Sequence, residues 1–206
     1  MLADFFVAFV LLVCFVCFAS VNLHNILVAH SRKEGAKSVA EVESPRGFVV
    51  GVAALGTGVY FVEAFFFQLL VFSDNSSVLW SLPLQLPSSV DLQLIGVVLT
   101  VIGYLLFIWS VRARGRYSVS WAMPEDQKLV TWGPYRYVRN PSYLGYFLMF
   151  FGLFLVWSSV FAVFPFLAIP AYYRVAVQEE RLLEKRFGEA YVEYRKNTGR
   201  FVPKIR

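Results

Sequence analysis

Charge is scarce in this chain. Asp, Glu, Lys and Arg make up only 16% of its 206 residues, against about 25% in soluble domains. With 58% hydrophobic residues and a mean hydropathy of +0.58, the chain is excluded from the soluble globular class. It is expected to be an all-α integral membrane protein, long enough for several spans but not for a separate soluble domain. Cysteine is scarcer still. Cys14 and Cys17 both lie in the first apolar run, with no βαβ unit around them, so they read as small packing residues rather than a redox pair. The only histidines are His24 and His30. No Cys/His cluster has zinc-site spacing, and no metal is expected. No Lys or Arg precedes the first apolar run, which is also longer than a signal-peptide core, so no signal peptide is expected.

What is present are long apolar runs. Phe5–Val28, Phe48–Phe72 and Leu92–Val111 each have spanning length. A fourth stretch, Tyr143–Tyr173, holds no charge. As a single helix its 31 residues would be about 46 Å long, too much for a hydrocarbon core of about 30 Å. Trp157-Ser158-Ser159 near its middle is expected to turn the chain, giving a helical hairpin of spans four and five. Five spans then separate the charges cleanly. All 19 Lys and Arg fall within 30–47, 112–141 and 174–206, and none within 73–91 or 157–159. An odd number of spans places the three basic segments on one side. By the positive-inside rule that side is the cytoplasm, with the N-terminus outside. The net charge of +5 is thus explained by topology, and no nucleic-acid partner is expected.

Residues 1–111 read as a membrane scaffold of three spans. The loop 30–47 mixes four basic and three acidic residues with Pro45 and is expected at the headgroups. The outer loop 73–91 carries Pro83, Pro87 and an interfacial Trp80. Glu63 stands out inside the second run, where an ionisable group is costly and often functional. It could meet a cationic substrate or another span, be protonated and hydrogen-bonded, or lie near the outer interface.

Residues 112–206 have a different texture. Arg112, Arg114 and Arg116 follow the third run directly and read as topology anchors. Trp121, Met123 and Pro124 suggest an irregular loop. Then comes Gly133-Pro134-Tyr135-Arg136-Tyr137-Val138-Arg139-Asn140-Pro141-Ser142-Tyr143, too rich in hydrogen-bonding side chains at the lipid boundary to be a plain connector. Pro141 suits the first turn of a helix, with Asn140 near its N-cap. After the hairpin, Glu179-Glu180 leave the bilayer. Leu183, Phe187, Tyr191 and Tyr194 follow at helical spacing, predicting a C-terminal amphipathic helix. Thr198-Gly199-Arg200-Phe201-Val202-Pro203 nearly ends the chain.

This ordered set resembles the isoprenylcysteine carboxyl methyltransferase family. Its core reads Gly-x-Tyr, Arg-His-Pro-x-Tyr, a helical hairpin, Glu-Glu, Phe-Gly-x-x-Tyr-x-x-Tyr and Thr-x-Arg-x-x-Pro. The match spans roughly residues 112–206, the expected methyltransferase core. The resemblance implies a multi-pass membrane enzyme using S-adenosylmethionine, in a prokaryotic cell membrane rather than the endoplasmic reticulum. A small lipophilic acceptor would enter from the bilayer. The cofactor's ammonium needs a carboxylate, from Glu179 or Glu180. Its carboxylate needs Arg139 with the helix start at Asn140-Pro141. Its adenine needs an apolar slot, from Leu129, Val130 and Gly133 with Tyr135 or Tyr143. Arg139, Glu180 and Arg174 are the expected catalytic residues, Arg200 is expected among the cofactor-binding residues, and Arg174 or Arg200 could orient an acceptor carboxylate.

The chain departs from the family at Asn140, where His is usual. Asn does not titrate near neutral pH, so no general base stands there. A carboxylate acceptor needs none, whereas an amine or thiol must first lose a proton. Asn140 therefore favours a carboxyl acceptor. Phospholipid N-methylation and thiol S-methylation are the alternatives in the same chemistry. An NADPH-dependent membrane reductase and a non-catalytic membrane protein are alternatives of other classes.

Overall fold

The computed structural model describes residues 4–33, 47–81, 89–115 and 128–204. The readings on Pro45, Pro83, Pro87, Arg116, Trp121, Met123 and Pro124 lie outside them. Seven α-helices are described: α1 (Asp4–Lys33), α2 (Phe48–Phe72), α3 (Ser76–Ser81), α4 (Val90–Arg114), α5 (Pro141–Val156), α6 (Ala168–Phe187) and α7 (Glu189–Asn197). One 3-10 turn, Gly133–Arg136, precedes α5, and another, Phe161–Leu167, leads into α6. Four segments are long and apolar enough to cross a membrane: Asp4–Leu27, Phe48–Phe72, Val90–Arg114 and Phe161–Phe187. Helix α5, at 16 residues, is apolar but shorter.

The expected hairpin is present. Helix α5 ends at Val156, and Trp157 is its C-cap. Trp157 is buried and donates its indole N–H to the Leu79 carbonyl on α3 at 3.3 Å. Trp80 donates to Asp4 at 3.1 Å. Together these bonds gather the start of α1, helix α3 and the α5–α6 turn at one end of the bundle. Glu180, Arg139 and Arg200 lie at the other, so the charge segregation seen in the sequence becomes spatial.

Helices α4 and α5 pack antiparallel along four glycines. Gly103 faces Gly145, and Gly96 faces Gly152. A Cβ at Gly96 would sit 2.7 Å from the Gly152 carbonyl, and one at Gly103 the same distance from the Gly145 carbonyl. The seven-residue spacing on both helices keeps the pairs on one stripe, and small residues let the backbones approach. The other side of α5 is built oppositely. Tyr143, Tyr146 and Phe147 all set their rings against Tyr172 of α6, with centroids 4.8, 5.4 and 6.2 Å away. Tyr172 also shares a 2.6 Å hydrogen bond with Thr57 of α2. Helix α6 is held on α2, where Gly56 lies against Ala168.

One expectation is corrected. The apolar positions 183–194 do not lie on a single helix. Gly188 adopts φ 54° and separates α6 from α7. The break turns Tyr191 inward, where it is fully buried.

Substituting Gly152→Val drives a branched side chain into Thr100 and the Gly96 backbone. Overpacking of this kind costs about 1–3 kcal/mol, read as a lower unfolding temperature in detergent. Gly58, whose Cβ position is open, tolerates Gly58→Ala with no loss.

Candidate functional site

The loop before α5 and the tail after α7 are paired through their backbones. Val138 and Gly199 form a parallel bridge. Arg139 N–H donates to the Gly199 carbonyl at 2.8 Å and Asn140 N–H to the Arg200 carbonyl at 3.1 Å. A side chain at Gly199 would collide with the Val202 carbonyl, so the tight turn there depends on glycine. Tyr194 reinforces the junction by donating its hydroxyl to the Tyr135 carbonyl at 2.7 Å. Burial pushes the Tyr191 and Tyr194 phenols above their ordinary pKa, so both are neutral at physiological pH.

Glu180 sits at the centre of this junction, only 5% exposed. Arg200 grips both its oxygens, Nε to Oε1 at 2.9 Å and a terminal nitrogen to Oε2 at 3.0 Å. Arg139 donates to Oε2 at 3.3 Å, and its Nε lies 3.3 Å from Oε1. That second approach is an ion contact only, since Nε makes no hydrogen bond. Asn140 adds an amide N–H to Oε1 at 2.9 Å. Arg139 also donates to the Thr198 and Arg195 carbonyls, and Arg200 lies over the Tyr173 ring at 4.9 Å. The Glu180 hydrogen bond raises the Arg200 pKa further above its ordinary value. Asn140 is the N-cap residue of α5, as expected, but its side chain makes no capping bond. It is spent on Glu180 instead.

Glu179 faces elsewhere, as the 100° step between adjacent helical residues requires. It accepts a hydrogen bond from Tyr143 at 2.9 Å. Beyond Tyr143 lies Ser142, bonded to Ser110 at 2.6 Å and to Arg114 at 3.2 Å. Arg114 and Glu179 interact electrostatically. From its place just after the third apolar run, Arg114 is expected to be a topology anchor. Two residues apart, Arg112 and Arg114 point about 160° apart on a helix. Arg112 is accordingly exposed while Arg114 turns inward to Ser142. That alternation was the available signal.

The proposed adenine residues lie at the end of α4. Val130 and Tyr135 are buried together, with Ala113 packed on them. Leu129 is half-buried beside them in the chain. Gly133, at φ 61°, would place a Cβ 2.9 Å from Ala113, so it allows the loop to seat on α4. Pro141 is buried at the first turn of α5. Arg174 is exposed on α6 and stands outside the Glu180 cluster. Glu63 is also apart, buried on α2 with Oε2 unpartnered among the described residues. Those residues include no group of His, Cys, Asp or Glu able to hold a metal.

Comparison with known proteins reaches the same stretch. The phospholipid methyltransferase family profile matches residues 92–190. A protein-S-isoprenylcysteine O-methyltransferase from Tribolium castaneum is 28% identical over 167 residues, covering 75% of this chain and 51% of that protein. The chain is thus similar to membrane methyltransferases of the phospholipid and isoprenylcysteine types. It spans about half the length of the curated relative it matches. The family match takes in α4, α5, α6 and both glutamates, while Arg200 and the tail that completes the Glu180 junction lie beyond it.

Removing the Glu180 carboxylate leaves two guanidiniums facing each other. Breaking a buried pair in this way costs about 3–5 kcal/mol. The low end is expected here, because Arg200 is partly exposed. Glu180→Ala should therefore lower the unfolding temperature and open the 198–204 tail to limited proteolysis, ahead of any effect on α1–α4.

Proposed function

We propose that this chain is an S-adenosylmethionine-dependent methyltransferase working at the membrane surface on a lipophilic acceptor, with a carboxylate as the favoured acceptor group. The reading is carried by one observation. Two stretches some forty residues apart in sequence, 137–143 and 179–200, converge on Glu180 and set Glu179 and Tyr143 beside it. Such a junction is a poor choice for a mere connector, because every polar group in it must be matched away from water.

When bound, S-adenosylmethionine supplies an activated methyl on a sulfonium for in-line displacement. The residues present fit such a guest. Leu129, Val130, Gly133 and Tyr135 offer an apolar wall for the nucleoside. Arg139, Asn140, Pro141, Glu180 and Arg200 hold that wall against α6. Alignment within a fixed frame is worth about 7–11 kcal/mol in a two-reactant step. Arg174 would meet the acceptor carboxylate from an exposed position on α6, about 9 Å nearer the bilayer than Glu180. The ring layer of Tyr143, Tyr146, Phe147 and Tyr172 leads from the bundle interior to Glu179. It suits an apolar acceptor that dissolves in lipid and approaches sideways.

The phospholipid methyltransferase profile match favours one second reading, an amine acceptor. Asn140 cannot remove the proton such an acceptor carries, and the Glu179–Tyr143 pair would have to do so.

A tritiated-methyl assay with lipid extracts separates these readings. A carboxylate acceptor yields label released as volatile methanol by mild base, and an amine acceptor yields base-stable label in phospholipid. Calorimetry in detergent should show micromolar binding of S-adenosylhomocysteine. Binding of NADPH in its place would sink the methyltransferase in favour of a reductase.

The basic end of the bundle is assigned to the cytoplasm by its charge. In a Cys14→Ser, Cys17→Ser background, a membrane-impermeant maleimide added outside intact cells should label Ser73→Cys and spare Lys185→Cys. The reverse pattern inverts the topology.

A further inference from the structure

The junction leaves Glu180 and Arg139 with little to offer a ligand. Both Glu180 oxygens are taken by Arg139, Arg200 and Asn140. Arg139 is committed to Glu180 and to two backbone carbonyls. A charged guest arriving beside them needs other counterions, and two are at hand. Glu179 accepts from Tyr143 alone among the described residues. Arg114 uses one terminal nitrogen on the Ser142 hydroxyl, while its Nε is buried without a partner. The two interact electrostatically but make no ion pair within 4.0 Å among the described residues.

A buried guanidinium N–H with nothing to donate to is costly unless something fills the gap. A carboxylate fitted to a guanidinium fork makes charge-assisted bonds at both nitrogens. An ammonium fitted to Glu179 does the reciprocal. One small group carries both charges on neighbouring atoms, the zwitterionic α-amino acid. Ser142 and Tyr143 stand between the two, their hydroxyls already oriented by Arg114, Ser110 and Glu179. We propose that Arg114 and Glu179 form a zwitterion clamp across the first turn of α5, Arg114 taking the carboxylate and Glu179 the ammonium of the cofactor's amino-acid end. This rests on the cofactor reading above. It moves the carboxylate from Arg139 to Arg114 and chooses Glu179 over Glu180 for the ammonium, both being residues whose hydrogen-bonding capacity is still open.

The test compares ligands rather than rates. Calorimetry in detergent measures S-adenosylhomocysteine and its decarboxylated analogue against the full chain and Arg114→Gln. In the parent protein, removal of the carboxylate should weaken binding at least tenfold. In Arg114→Gln the two ligands should bind within about twofold of each other, because the partner is gone. The deaminated analogue should show the same pattern against Glu179→Gln. If Arg114→Gln fails to fold or binds neither ligand, Arg114→Lys takes its place. Lysine keeps the charge and loses the fork, so the carboxylate preference should shrink. A preference as large in the variants as in the parent, or none in the parent, overturns the clamp. Failure of the parent to bind S-adenosylhomocysteine at all overturns the cofactor reading instead.

Discussion

Everything at the polar end of this bundle depends on where one carboxylate finds its partners. Glu180 is almost wholly enclosed, and an enclosed charge must be neutralised nearby. It draws Arg139 and Asn140 from the loop before α5 and Arg200 from the tail. Those three contacts explain why a tail of a few residues with no helix of its own is ordered at all. They also fix the short parallel backbone pairing between 138–140 and 199–200. The same arrangement accounts for the unusual N-cap of α5, where the Asn140 side chain serves the ion cluster and not the helix.

The bundle beneath is asymmetric around α5. On one side, two glycine pairs bring α5 against α4 so closely that almost any added carbon meets backbone. On the other, aromatic rings separate α5 from α6, which leans on α2. The polar junction thus straddles a glycine seam on one side of α5 and an aromatic layer on the other.

Much of this was legible in the sequence, and for physical reasons. Apolar runs of spanning length, and the confinement of Lys and Arg to three segments, predicted the helices and the end at which charge collects. The turn at Trp157 was legible because an uninterrupted run of that length does not fit a bilayer. The meeting of Arg139 with Glu180 came through resemblance rather than periodicity, since nothing local links residues so far apart. Three features are not legible in the sequence. The apolar spacing runs straight through Gly188, and only its positive φ makes the break. Composition does not say that Arg114 turns inward while Arg112 turns out. The pairing of the glycines at 96, 103, 145 and 152 shows only when two helices are laid side by side.

Helix α5 is shorter than the four described segments of membrane-spanning length. At 16 residues it rises about 24 Å, some 6 Å less than a typical hydrocarbon core. Fixed to α4, it cannot slide to compensate, so the lipids beside it must thin or tilt to meet its ends. A dimple in the leaflet would then lie next to Asn140, Ser142 and Tyr143. An amphiphile passing there would cross a thinner layer of oil than it would beside the four longer apolar segments.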